Sequence, residues 1–145
     1  MFNESRTDIY KYIYDMVYNV VSKNVYAMFE PKALKESDTT DGFVTIRVGN
    51  IINQSEFDDN AFAMARCFVQ AFVPPMSRGR VDFDKYKEFE QKINQVINNE
   101  IRNGNNKTYS IIPDSSLSWD DYVGTDDDNM YFVYTKSFIV QIDNV

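Results

Sequence analysis

Along residues 61–73, small and large side chains alternate with the two-residue period of a pleated strand. Ala63, Ala65, Cys67, Val69, Ala71 and Val73 fall on one face; Phe62, Met64, Arg66, Phe68, Gln70 and Phe72 fall on the other. The first face is small and apolar throughout, a surface against which a helix can pack closely. The second mixes aromatic, basic and amide groups, so it reads as neither clean core nor clean surface. Pro74 and Pro75 end the strand, because proline has no N–H to give a ladder. Asp82 then stands at a helix N-cap position, and Phe83, Tyr86, Phe89, Ile93, Val96, Ile97 and Ile101 recur at helical spacing. This predicts a helix over residues 82–103, with Gly104 placed to close it.

The same periodicities place the other elements. Ile9, Ile13, Met16, Val17, Val20 and Val21 follow the candidate caps Ser5 and Thr7 and predict an N-terminal helix. Tyr10, Tyr12, Tyr14 and Tyr18 spread around its remaining faces, which suits either the edge of a core or a neighbouring subunit. Residues 25–29 read as a short strand stopped by Glu30 and Pro31, and residues 37–42 as turn chemistry. Residues 43–51 alternate, with Val44, Ile46 and Val48 on one face and Phe43, Thr45 and Arg47 on the other. These two strands are expected to lie side by side, antiparallel. Residues 109–112 form a strand ended by Pro113, and residues 114–129 a loop. A final aromatic and β-branched strand covers residues 130–142, with a phase change near Thr135, Lys136 and Ser137 that a bulge would explain. The predicted class is α+β in a single domain over residues 1–145. Its mixed, mainly antiparallel sheet has about four to five strands, with the N-terminal helix and the long helix on one face.

Charge changes this picture locally. The net charge is −7, yet residues 114–128 hold six aspartates and no lysine or arginine, which leaves −1 for the rest of the chain. Net acidity argues against binding nucleic acid through its phosphates, and no apolar run is long enough to span a bilayer. The chain has no histidine and a single cysteine, Cys67, in the small apolar face. The commonest acid–base group and metal ligand are therefore missing, and Cys67 reads as a core residue with no base to activate it.

The candidate chemistry is sparse. Asp126, Asp127, Asp128 and Asn129 resemble part of a calcium loop, but Tyr131 stands where that loop needs glycine and no glutamate follows at its last position. Asp120, Asp121 and Asp126 could pair as carboxylates, yet no partner base accompanies them. Arg78 and Gly79 lie in a Ser-Arg-Gly-Arg tetrapeptide too short for a phosphate-binding loop and without its lysine. No catalytic, cofactor-binding or metal-binding set is predicted. The interface candidates are Met76, Arg78 and Arg80 in the loop of residues 74–81, Trp119 in the acidic segment, and Arg47 and Arg66 on the mixed strand faces. Lys136 joins the two arginines if the last strand keeps register.

Taken in order, these elements resemble the tail terminator proteins of long-tailed bacteriophages. The resemblance rests on residues 25–31 (VYAMFEP) before residues 43–49 (FVTIRVG), on residues 66–75 (RCFVQAFVPP) before the helix, and on residues 131–136 (YFVYTK) at the end. It covers most of the chain as a pattern of elements, and the acidic segment has no counterpart in it. It implies a non-enzymatic virion protein without cofactors: a subunit of a hexameric ring that caps the tail tube and joins it to the head or neck. Its partners would be further copies of itself, the tube and the neck or connector proteins, in the host cytoplasm during assembly and in the virion afterwards. Two rivals are a monomeric adaptor that binds a basic partner through the acidic loop, and a metal-dependent enzyme using the aspartates.

Overall fold

A computed structural model describes residues 6–28, 34–53, 62–98, 100–104, 107–114, 120–124 and 130–144. Two helices, α1 (Arg6–Val20) and α3 (Phe83–Val96), pack on one face of a mixed eight-stranded sheet. The main strand order is β1 (Val25–Ala27), β2 (Phe43–Val48), β4 (Phe62–Val73), β8 (Met130–Asn144), β6 (Lys107–Asp114) and β5 (Glu100–Gly104). The short strands β3 (Ile52–Asn53) and β7 (Asp120–Gly124) pair with β4 and β8 respectively. The α+β class, the mainly antiparallel sheet and both predicted helices are thus present, and short edge strands widen the sheet.

The centre is the antiparallel pair of β4 and β8, in unbroken register from Phe62 opposite Asp143 to Val73 opposite Phe132. The small face of β4 meets Ile9, Ile13, Met16 and Val17 of α1 and Tyr86, Phe89, Ile93 and Val96 of α3 in one buried cluster. Alanines along β4 let the helices approach the sheet closely, and large aliphatics on the helices fill the space between. Tyr12 stacks on Tyr109 of β6 at 4.5 Å, and Tyr10, Tyr14 and Tyr18 form a ring ladder down one side of α1. Cys67 is buried, and desolvation pushes its thiol up to about 12, far from a reactive thiolate.

Several local expectations are corrected. Strands β1 and β2 are parallel, with Val25 opposite Val44. The intervening chain includes a helix, α2 (Glu36–Asp41), where turn chemistry alone was expected, and a crossover of this length returns the strand in the same direction. Helix α3 stops at Val96: the Ile97 N–H donates to the Ile93 carbonyl, and the Asn98 side chain donates to the Gln95 carbonyl. Ile101 and Gly104 belong instead to β5, which forms a hairpin with β6 that closes at Gly104 opposite Lys107. Strand β6 runs through Pro113, opposite Phe138, at a level that β5 does not reach. There β6 is an edge, where a missing N–H is tolerated. Residues 114–129 are not all loop, because β7 pairs with β8 from Asp120 opposite Tyr134 to Gly124 opposite Met130. Finally, β8 has no bulge where it pairs with β4, since every position from Phe132 to Asp143 has its partner in turn.

Candidate interaction surfaces

The loop of residues 74–81 leaves the end of β4 and returns into α3. Pro74 is buried, and Met76 to Arg80 are exposed. The loop is closed on itself: the Met76 N–H donates to the Arg80 carbonyl at 2.7 Å and the Gly79 N–H to the Met76 carbonyl at 3.1 Å. A short 3-10 turn, Ser77–Gly79, forms its tip, with Arg78 and Gly79 both at positive φ. Asp82 caps α3 by accepting from the Lys85 N–H at 3.1 Å. Met76, Arg78 and Arg80 are therefore presented together on a small hydrogen-bonded turn.

Phe83 adds a residue that the helical pattern assigned to the core. It is 67% exposed, and Met76 nearby in sequence is 45% exposed. The Phe83 ring meets the edge of Phe132 at 6.2 Å, Phe132 stacks on Tyr86 at 4.7 Å, and Tyr86 meets Tyr134 at 5.7 Å. An aromatic row thus runs from the core to an exposed end. Phe83 keeps the phase of the buried face but occupies the first turn of α3, close to where the pairing of β4 and β8 ends at Val73 and Phe132. Its position directly after the N-cap aspartate was the signal available in the sequence.

The opposite, outer face of the sheet divides in two. At one end, Phe43, Phe72, Tyr131 and Val133 form a second buried cluster, with Tyr26 and Leu34 packed against it. Phe43 stacks on Phe72 at 4.5 Å. The Tyr26 hydroxyl donates to Asp38 Oδ2 at 2.7 Å, and the Lys35 N–H donates to the same oxygen at 2.9 Å. Burial, reinforced by this bond to Asp38, pushes the Tyr26 phenol up to about 12. The chain between β1 and β2 therefore closes this end with α2.

Further along the same face, Arg47 lies opposite Phe68, two residues from Arg66, so both arginines share one face. Lys136 does not join them. The unbroken register puts it opposite Val69, on the helix-covered face. A groove of about 480 Å³ opens here, lined by Arg6, Met28, Arg47, Phe68, Gln70 and Thr135 among others. The Arg6 guanidinium is fixed at its rim, donating to the Val48 carbonyl from Nε at 3.0 Å and from Nη2 at 2.7 Å. In the groove Gln70 lies opposite Thr135, and Gln70 Nε2 donates to Thr135 Oγ1 at 3.2 Å; the buried Thr45 lies opposite Gln70 on β2. Gln70 Oε1, Thr45 Oγ1 and Ser137 Oγ are buried without hydrogen-bond partners. A second, smaller cleft of about 270 Å³ lies between the end of α1 and α3, where Lys92 pairs with Glu88 and Lys85 donates to the Thr40 carbonyl.

The predicted interface residues are not gathered into one site. Arg66 and Val73 are separated along β4 by roughly 23 Å at the usual strand rise, so the arginines and the Met76 turn are distinct surfaces. Trp119 lies outside the described residues, as do Asp126 to Asn129, the segment that resembles a calcium loop. Among the described residues, no group of three or more histidine, cysteine, aspartate or glutamate side chains gathers to hold a metal. Nor is any described helix long and apolar enough to cross a membrane. No protein-family model matches the chain, and no curated protein matches it.

Proposed function

We propose that this chain is a structural subunit of a long-tailed phage virion, a tail-terminator-like protein that caps the tail tube and joins it to the head by assembling into a ring. The observation that carries this reading is the exposed pair Met76 and Phe83 on a hydrogen-bonded turn at the end of the sheet, flanked by Arg78 and Arg80. Aromatic, methionine and arginine side chains are the types enriched where proteins meet, and a rigid turn orders few extra groups on binding. The order of elements supports the same reading, since it follows the pattern on which the resemblance rests. The parts of the molecule have assembly roles: the helix face stabilises the subunit, the Met76 turn meets a partner, and the outer sheet face offers a second, arginine-bearing surface. Light scattering on the purified protein, alone and after mixing with uncapped tail tubes, tests this. The expected result is a discrete ring-sized species or loss of free subunit onto the tubes; a monomer that ignores the tubes would overturn the reading.

A further inference from the structure

The groove on the outer face is basic in an acidic protein. Arg6 and Arg47 both line it, and among the described residues that line it none is aspartate or glutamate. The whole chain carries −7, so this positive charge is a local feature. The groove opens because β1 stops early. Its last pair is Ala27 with Ile46; Met28 then donates its N–H to the Ile46 carbonyl at 2.7 Å and, at φ 69, turns the chain away. The Val48 carbonyl, two residues on along the same edge of β2, lies beyond the reach of β1. Arg6 satisfies it instead, through Nε and Nη2, and these two bonds hold the guanidinium plane in place. They use one fork of the guanidinium. The other, Nη1 with Nη2, meets only the Met28 thioether among the described residues, at 3.9 Å. Sulfur is a weak acceptor, so an oxyanion displaces it. Deeper in the groove Gln70 is engaged with Thr135, and the apolar walls come from the half-buried Phe68 and Met28.

We propose that this groove is a binding site for a small organic phosphate monoester, with the phosphate held by Arg6 and Arg47 and an apolar or aromatic body lying against Phe68 and Met28. A phosphate monoester carries roughly two negative charges near pH 7, which matches two guanidinium groups better than a single carboxylate does. Its terminal oxygens suit the open fork of Arg6, since guanidinium pairs with phosphate through two parallel hydrogen bonds. The volume of about 480 Å³ falls within the range of about 300–1,000 Å³ usual for small-molecule sites. Every group named belongs to one subunit, so the site is independent of ring assembly.

The test is isothermal titration calorimetry with the full-length protein and phenyl phosphate. Saturable binding at one site is expected, weakening as salt is added. Inorganic phosphate, which lacks the ring, and benzyl alcohol, which lacks the charge, are each expected to bind about tenfold more weakly or worse. Arg47→Gln and Arg6→Lys, each checked for fold by circular dichroism, are expected to weaken phenyl phosphate to a similar extent, about tenfold or more. Lys87→Gln, at an exposed position of α3 outside the groove, is expected to change nothing. Arg47 is exposed on its strand, so Arg47→Gln reads the site even if Arg6→Lys disturbs the start of α1. Absent binding, equal binding of inorganic phosphate, or an Arg47→Gln variant that binds like the parent would each overturn the proposal. Equal losses in Lys87→Gln and Arg47→Gln would overturn it too, because they would mark general charge attraction. None of these outcomes bears on whether the protein caps tubes.

Discussion

Gly42→Ala is expected to destabilise the protein by about 3 kcal/mol or more, enough to leave a domain of ordinary stability poorly folded. Gly42 joins α2 to β2 with φ 86 and ψ 176, a conformation that is essentially reserved for glycine. Space is lacking as well. A Cβ there would lie 2.6 Å from the Phe72 carbonyl oxygen, 3.1 Å from the Phe89 ring and 3.2 Å from Pro74 Cδ. The nearest of these atoms is backbone of the central strand, so it cannot swing aside. Both backbone groups of Gly42 are also engaged, its N–H with the Asp38 carbonyl and its carbonyl with the Asn24 side chain. Gly79→Ala is the control, because Gly79 has φ 72 and a methyl group there would meet nothing within 4 Å. It should cost only about 1–2 kcal/mol from the left-handed backbone. Urea unfolding of both variants separates crowding from conformation; equal midpoints for the two would contradict this account of Gly42.

The second large effect concerns assembly alone. Replacing Met76, Arg78, Arg80 and Phe83 together with serine is expected to abolish capture on tail tubes while leaving the fold in place. Met76 and Phe83 are both exposed, outside the buried clusters, and exposed substitutions usually shift stability by no more than about 0.5 kcal/mol each. At an interface, by contrast, an aromatic anchor contributes about 2 kcal/mol or more, roughly a thirtyfold change in affinity for one residue. Phe89→Ser is the contrasting variant. Phe89 sits further along α3 in the buried cluster, and its loss should lower the unfolding midpoint outright. Circular dichroism and tube co-sedimentation read the two effects separately. Unchanged co-sedimentation of the fourfold variant would reduce the turn to a connection.

The fold was legible where one face of an element is buried. The alternation of β2 and β4 and the apolar stripes of α1 and α3 each report a single large interface, and each element is present, although α3 stops at Val96. Legibility failed where pairing, and not burial, decides. Ile97 and Ile101 continue a helical stripe on paper, but Asn98 and Asn99 interrupt it and the hairpin of β5 with β6 takes Ile101 into the sheet. The direction of β1 depended on α2, whose six residues are polar and show no apolar stripe. The phase puzzle in β8 came from polar residues on the wrong sides: Thr135 and Ser137 are buried on the outer face, while Lys136 lies on the helix-covered one. Of the site, Met76, Arg78 and Arg80 were recognisable by residue type and by the prolines before them. Phe83 kept the phase of the buried face, so periodicity assigned it to the core, and only its place directly after the N-cap Asp82 marked it as a first-turn residue. The Arg6 rim of the groove was equally hidden, since it joins residues 42 positions apart.

Immunogold electron microscopy, with antibody to this chain applied to the particles produced by the genome that encodes it, tests the proposal of a long-tailed virion subunit most directly. The account predicts gold at one place on each particle, the junction between tail tube and head. Gold spread along the tail, confined to the capsid, or absent from the virions would contradict it.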